Sequence, residues 1–344
     1  MNKIEEIFCC PFCHESLTRK PGSFLCQGCG KTFQVYAEVP NFKEGELYPG
    51  EDKLLRDIEK DFDRLSFFQL QEKLDSTTAK DILPWELRRA KRFQSLNEKE
   101  KKKYLEEYEE KFIMKQGADQ VFVSDFLMKL IEHPLKRKTA LDIGCGRGSW
   151  AINASREFEL IVATDMDMAS LLIARKYCLE KGINNIFFAG CLSRKLPFPD
   201  NSFDIVNSQA VIEHVDDQPV TFREINRTLA EKGYFIGDSC NRYNLFTAEF
   251  HTGIWWLGFL PHRLAHRFSL WLKDFPFDDI VPLSYSKLKK NLDQHLGDYK
   301  ILPLIKLPQP SITQTFLSYW PSSLLQYLTH THYILAGKKA PWTS

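Results

Sequence analysis

Residues 139–150 read TALDIGCGRGSW, and this stretch decides the fold. A short apolar run passes directly into a turn with glycine at 144, 146 and 148, then into the helical window SWAINASREF. Glycine suits such a turn because a side chain there would collide with a ligand resting against the backbone. Working outward, the rhythm repeats: LIVATD, MASLLIARKYCLEKG, NIFFAG, FDIVNS, PVTFREINRTLAEKG and YFIGDS. Apolar runs of strand length alternate with amphipathic helical windows, the pattern of a parallel sheet covered on both faces. Ligands of doubly wound sheets lie beyond the C-terminal strand ends, where the strand order reverses. The helix SYSKLKKNLDQHL and two late strands, near YKILPLIKL and HYILAGKK, are expected to complete the sheet.

The glycine turn alone leaves the ligand open, since dinucleotide-binding folds use a similar one. Asp142, two positions before the first glycine, suits an ammonium group better than a pyrophosphate, and Arg147 is the only cation at the turn. The second strand ends at Asp165, 23 residues after Asp142, where a carboxylate accepts the ribose hydroxyls of a nucleoside. NAD would satisfy that carboxylate equally well.

The ensemble over residues 139–241 is more specific: LDIGCGRG, ATD, LPFPDNSFDIV, VIEHV and RTLAEKGYF follow one another in order. It resembles the class I S-adenosylmethionine (SAM)-dependent methyltransferases of the UbiE-like type. The resemblance implies a doubly wound, mostly parallel, seven-stranded α/β sheet. It implies that Asp142 and the turn of Gly144, Gly146 and Gly148 hold the methionine part of SAM, and that Asp165 holds its ribose. Met166 would pack on the adenine, and the backbone near Asn207 and Gln209 would contact the cofactor. The family commonly has an acidic residue where this chain has Cys191, a poor acceptor for the adenine amine. Adenine is then left to backbone contacts at Cys191 and Leu192. His214 of VIEHV is the candidate general base, since histidine titrates near neutrality; bracing of the following helix is the plainer role for it. Asp216 and Asp217 are expected at the start of that helix.

A second motif lies at the N-terminus. Cys10-Pro-Phe-Cys13 and Cys26-Gln-Gly-Cys29 are two C-x-x-C knuckles separated by twelve residues. Facing turns of this kind supply four thiolates to a tetrahedral Zn²⁺, and so small a segment depends on the metal for its folding energy. Cys9 and His14 are adjacent spares. Residues 7–42 resemble the ribbon of small activator proteins that bind methyltransferases, and the ribbon of a bacterial ribosomal-RNA guanine methyltransferase. A closed four-thiolate site implies a structural zinc.

The chain therefore divides into a zinc ribbon (1–42), a charged helical linker or lid (43–133) and a methyltransferase domain (134–344) with an aromatic insert at about 241–283. In the lid, Pro84 is expected to separate a pair of helices, and Tyr104 or Tyr108 to reach the site. The insert carries Trp255, Trp256, Phe259 and Trp271, readable as ordinary core or as the wall of an apolar pocket with His251, His262 and Arg263 as polar handles. Its phrase NRYNLFTAEFHTGIWWLGFLPHRLAHRF resembles inserts of methyltransferases from natural-product and surface-polysaccharide pathways, and its apolar stretch Ile254–Pro261 suits a membrane surface or a greasy substrate pocket.

Forty-six Lys and Arg against 45 Asp and Glu give a net charge of +1, no broad field for nucleic acid. The run Arg88, Arg89, Lys91, Arg92 invites a nucleic-acid reading, against which acidic residues follow closely. MNKIEEIFCC lacks the apolar run of a secretory signal, and IWWLGFLP is too short to span a bilayer. With nine cysteines and no such signal, a reducing cytoplasm is expected. The expected function is methyl transfer to a small natural-product, lipid-linked or sugar-type acceptor. The alternatives are methylation of an RNA base gripped by the ribbon, and a non-catalytic partner with a degenerate SAM fold.

Overall fold

The computed structural model describes residues 7–45, 48–77, 90–132, 138–303 and 320–339. Pro84, Arg88 and Arg89 lie outside the described residues. Two compact units are formed, Met1–Phe122 with Arg137–Ser202, and Val123–Lys136 with Phe203–Ser344.

The first unit opens with an antiparallel sheet of β1 (Leu17–Lys20), β2 (Ser23–Cys26), β3 (Thr32–Tyr36) and β4 (Val39–Pro40). Helices α1 (Glu51–Asp61) and α2 (Phe67–Asp75) follow; Leu54, Leu55 and Ile58 form the buried stripe of the first. Capping boxes at Ser66/Gln69 and Asn97/Glu100 start α2 and α3 (Glu98–Tyr108) by satisfying backbone N–H groups that the first turn leaves open. Helix α3 runs through a π-helical stretch, Glu109–Lys115, into α4 (Gln116–Met128). Then β5 (Thr139–Ile143), α5 (Ser149–Ala154), β6 (Leu160–Asp165), α6 (Met168–Glu180) and β7 (Ile186–Gly190) alternate. Strands β5, β6 and β7 pair in parallel, in register Asp142 to Ala163 and Asp165 to Gly190. Their apolar runs are buried on both faces, as coverage by helices demands.

The second unit holds β8 (Phe203–Gln209), α7 (Gln218–Thr228), β9 (Leu229–Cys240), α8 (His262–Lys273), α9 (Tyr285–His295), β10 (Tyr299–Leu302), α10 (Ser322–Leu328) and β11 (Thr331–Gly337). Strands β8 and β9 are parallel, while β11 runs antiparallel to both β9 and β10. The seven strands β5–β11 follow the order β10-β11-β9-β8-β5-β6-β7, the doubly wound sheet read from the sequence. One boundary differs from the sequence reading. Helix α7 stops at Thr228 and LAEKG already belongs to β9, because Leu229 turns extended and pairs with Phe203 across an irregular register.

Candidate functional site

In the first unit the turn after β5 places all three glycines in the left-handed region, with φ of 70°, 53° and 75° at Gly144, Gly146 and Gly148. A side chain added at Gly146 would meet no atom within 4 Å. Protein packing therefore does not require that glycine; a left-handed backbone facing open space does, and such space is what a ligand needs. The Gly146 N–H donates to Asp165 Oδ2 at 2.8 Å, and the Asp167 N–H donates to Oδ1 at 2.8 Å. The turn and the second strand end thus form one joined element. Burial pushes the Asp165 carboxyl up to about 6, and the charge of Asp167 adds to this against the two N–H donors and Lys43. Burial sets this value, since each carboxylate oxygen already accepts a backbone N–H. Asp142 is buried beneath the turn, Met166 is half-buried beside it, and Cys191 is buried after β7 with its N–H on Asp165 O at 3.0 Å. Leu192 follows, half-buried.

Two contacts of this site join distant positions; the first escaped the sequence reading, and the second involves Tyr108, which was expected to reach the site. Lys43, at the ribbon's exit, is buried; it donates to Met166 O at 2.8 Å and pairs with the equally buried Glu51. Arg147 is buried with its guanidinium 5.2 Å from the Tyr108 ring centre, so α3 packs on the glycine turn. Neither link has a local sequence signal, since each joins residues tens of positions apart.

In the ribbon the sulfurs of Cys10, Cys13, Cys26 and Cys29 lie within 4.8 Å of one another. The Cys13–Cys26 and Cys10–Cys29 separations are 3.4 and 3.6 Å. A disulfide needs about 2.05 Å, whereas a zinc tetrahedron with 2.3 Å bonds has edges of roughly 3.8 Å. The donor set therefore fits Zn²⁺. The Cys29 N–H points at Cys26 Sγ at 3.4 Å. Although burial raises the Cys26 thiol, this amide, the other thiols and the Gly28 amide bring it down to about 7. A Cβ on Gly28 would sit 2.7 Å from Glu15 Cγ and 3.3 Å from Cys13 Sγ, so a larger residue would have to displace the Glu15 side chain. Cys9 and His14 stand outside the four, 3.9 Å from each other. The ribbon is fixed to its unit: Phe42 N–H donates to Gly190 O at 2.7 Å, Cys9 N–H to Pro197 O at 2.9 Å, and Phe8 packs on Phe198.

In the second unit Asn207 and Gln209 are buried at the end of β8, with Gln209 Nε2 donating to Asn207 Oδ1 at 2.9 Å. Ala210 then takes a left-handed φ of 55°, held by its N–H bond to Asp238 Oδ1 at 2.8 Å. His214 ends the single 3₁₀ turn Ile212–His214. It does not cap α7: Asp217 does, accepting from Val220 N–H at 3.0 Å. Instead His214 Nε2 faces His251 Nε2 of the insert at 3.1 Å, and His251 Nδ1 meets Glu249 Oε1 at 2.7 Å. Desolvation, helped by His251, holds His214 below the ordinary histidine value while Glu213 pulls the other way.

The insert's own core is Ile254, Leu257, Ala265, Phe277 and Ile280. The aromatics for which core packing was the plainer expectation stand outside it: Trp255, Trp256 and Phe259 are about half exposed and Trp271 is 78% exposed. The core's small cross-section explains this, because α8 buries only Ala265 and Ser269. His262 Nε2 lies 3.0 Å from Ile280 O, a structural tie, and Arg263 is exposed. A cleft beside the insert is lined by Cys240, Arg242, Asn244, Glu249, Trp256 and His330.

Residues 141–237 match the methyltransferase domain family. YcgJ of Bacillus subtilis, an uncharacterized methyltransferase, is 33% identical over 96 residues, 28% of this chain and 38% of that protein. Its solved structure covers 64% of this chain and 100% of that one, with 19% identity and a TM-score of 0.45. Phosphoethanolamine N-methyltransferase 1 of Arabidopsis thaliana is 29% identical over 144 residues, 41% of this chain and 29% of that protein. A ubiquinone biosynthesis O-methyltransferase of Serratia proteamaculans is 29% identical over 105 residues, 30% of this chain and 44% of that protein. The chain thus spans less than half the length of each of these curated relatives. It carries a methyltransferase domain, and the glycine turn, Asp165 and the 3₁₀ turn at His214 all lie within it.

Proposed function

We propose that the protein is a SAM-dependent methyltransferase acting on a small acceptor. The observation that carries this is the Gly146–Asp165 element, open on its glycine side, inside the matched domain. Asp142 and the three glycines would hold the amino-acid end of SAM and Asp165 the ribose. Met166, Cys191 and Leu192 would border the adenine, and Asn207 and Gln209 the path beyond β8. SAM supplies an electrophilic methyl on a sulfonium. The protein's contribution is to align the acceptor with it, which is worth roughly 7–11 kcal/mol of barrier, and to accept a proton. His214, paired to His251 and Glu249, is our candidate for that proton.

The acceptor class follows from the insert. Helix α8 bears Arg263, Arg267 and Lys273 among exposed Leu264, Phe268, Leu270, Trp271 and Leu272, with no acidic residue along its length. Basic and aromatic side chains on one exposed helix suit an apolar, anionic or lipid-borne acceptor at a membrane surface. Among the described residues no helix is long and apolar enough to cross a membrane. Two of the relatives named above, the phosphoethanolamine N-methyltransferase and the ubiquinone biosynthesis O-methyltransferase, act by their names on nitrogen or oxygen of small molecules, which supports the class without choosing the atom. RNA methylation is the weaker reading, because the ribbon's aromatic face is spent on its own unit through Phe8 and Phe42. The test is transfer from methyl-labelled SAM into cell extract split into RNA, lipid and water-soluble fractions. Label is expected in a non-RNA fraction, and label confined to RNA would overturn the assignment.

A further inference from the structure

We propose that Glu213, His214 and His251 bind a divalent transition-metal ion of the zinc class, at a site distinct from the four-cysteine ribbon. One ligand atom from each of the three residues lies within 4.8 Å of the others. The two Nε2 atoms are 3.1 Å apart and face each other. Two imidazole nitrogens bound tetrahedrally to zinc at about 2.05 Å stand roughly 3.3 Å apart, so the spacing is close to that of a coordinated pair. His251 is prepared as a ligand: Nδ1 is engaged by Glu249 Oε1 at 2.7 Å, which leaves the Nε2 lone pair pointing at His214. A carboxylate behind a ligating histidine is the usual support that fixes its tautomer and raises its basicity. Glu249 is itself pinned, since Oε2 accepts from the N–H groups of His251 and Thr252 and from the Thr252 hydroxyl.

Glu213 supplies the independent observation. Its residue is 0% exposed; Oε2 accepts from Ser239 Oγ at 3.0 Å, while Oε1 is buried without a conventional hydrogen bond beside the weakly donating Cys240 thiol. Burying a carboxylate is costly without a cation or full hydrogen bonding. Around it lie further acids and histidines. The main charges acting on Asp238, Cys240, His214 and His330 come from Glu213, Glu249, Asp238, Asp279 and His251, with no lysine or arginine among them. The nearby Arg242 guanidinium is turned to the carbonyls of Gly258 and Leu260. A dication between the two histidines and Glu213 offsets that excess of negative charge.

Two histidines and a glutamate make three protein ligands, the set that leaves a fourth position open, and exposed His214 puts it toward solvent. On the methyltransferase reading, an acceptor hydroxyl at that position would release its proton to solvent near neutral pH. His214 then serves as a ligand and no longer as a free base.

The binding claim is tested without activity. Full-length protein is loaded with Co²⁺ and examined by metal analysis and absorption spectroscopy. Two ions per chain are expected, one with the thiolate charge-transfer band of the ribbon and one with ligand-field bands alone. His251→Ala should abolish the second ion and leave the thiolate band intact, which also reports that the variant is folded. Glu249→Gln should weaken the second ion about 10–100-fold. A single ion per chain, or a second ion that survives in both His251→Ala and Glu213→Gln, overturns the proposal. SAM affinity measured on the same samples reports on the methyltransferase reading separately.

Discussion

Gly146 concentrates two demands in one residue, a φ of 53° and a Cβ direction facing open space. Gly146→Ala should cost about 1–2 kcal/mol of stability through its left-handed backbone, read as a lower melting temperature. Its larger effect should be loss of the stabilisation that SAM gives the wild type. Asp165 sets a pH dependence. Burial holds its free carboxyl at about 6, and on the proposed function the ionised form would accept two ribose hydroxyls. SAM affinity should therefore be level above pH 7 and fall toward acid, about tenfold weaker at pH 5; affinity unchanged between pH 7 and 5 would count against Asp165 as the ribose ligand. His332 works on stability instead. Burial near the start of β11 lowers it from 6.5 to about 4, so the folded protein resists its protonation. That contribution is present above pH 6.5 and is lost as pH falls toward 4, about 3 kcal/mol in all. His332→Gln should flatten the acid side of a melting-temperature profile.

At the scale of elements, the ribbon is a built portion of the first unit, with Asn41 bridged to Gly190 and Lys43 reaching Met166. Cys26→Ser, or stripping zinc with a chelator, should therefore lower the melting temperature of the first unit and weaken SAM binding. A ribbon that melts alone, leaving SAM affinity unchanged, would contradict this. The elements also show what the sequence could convey. C-x-x-C spacing and the glycine turn are local patterns whose geometry is set within a few residues, so both were legible. The strand–helix alternation was legible for the same reason, apart from the start of β9, where Leu229 pairing with Phe203 overrides a helical window. The Glu249–His251–His214 chain was not. It joins positions 37 apart through an insert without periodicity, and nothing in VIEHV says which way His214 faces. Exposure of the insert's tryptophans was equally hidden, because aromatic content gives burial only when a partner face exists.

For the whole molecule the even charge balance matters less than its placement. Helix α8 gathers three basic residues beside five exposed apolar ones. Full-length protein should co-sediment with anionic phospholipid vesicles, and a Phe268→Ala/Trp271→Ala variant should lose most of that binding with SAM affinity unchanged. Binding to RNA that falls steeply with salt, without vesicle binding, would instead mark a phosphate-gripping protein. Calorimetry of the intact chain with SAM and with its demethylated product decides whether the Gly146–Asp165 element is a cofactor site. One molecule of either is expected to bind per chain, and Asp165→Ala to bind at least about 100-fold more weakly, since two hydrogen bonds to a charged group are worth roughly 3–6 kcal/mol. A folded protein that takes up neither ligand contradicts that role.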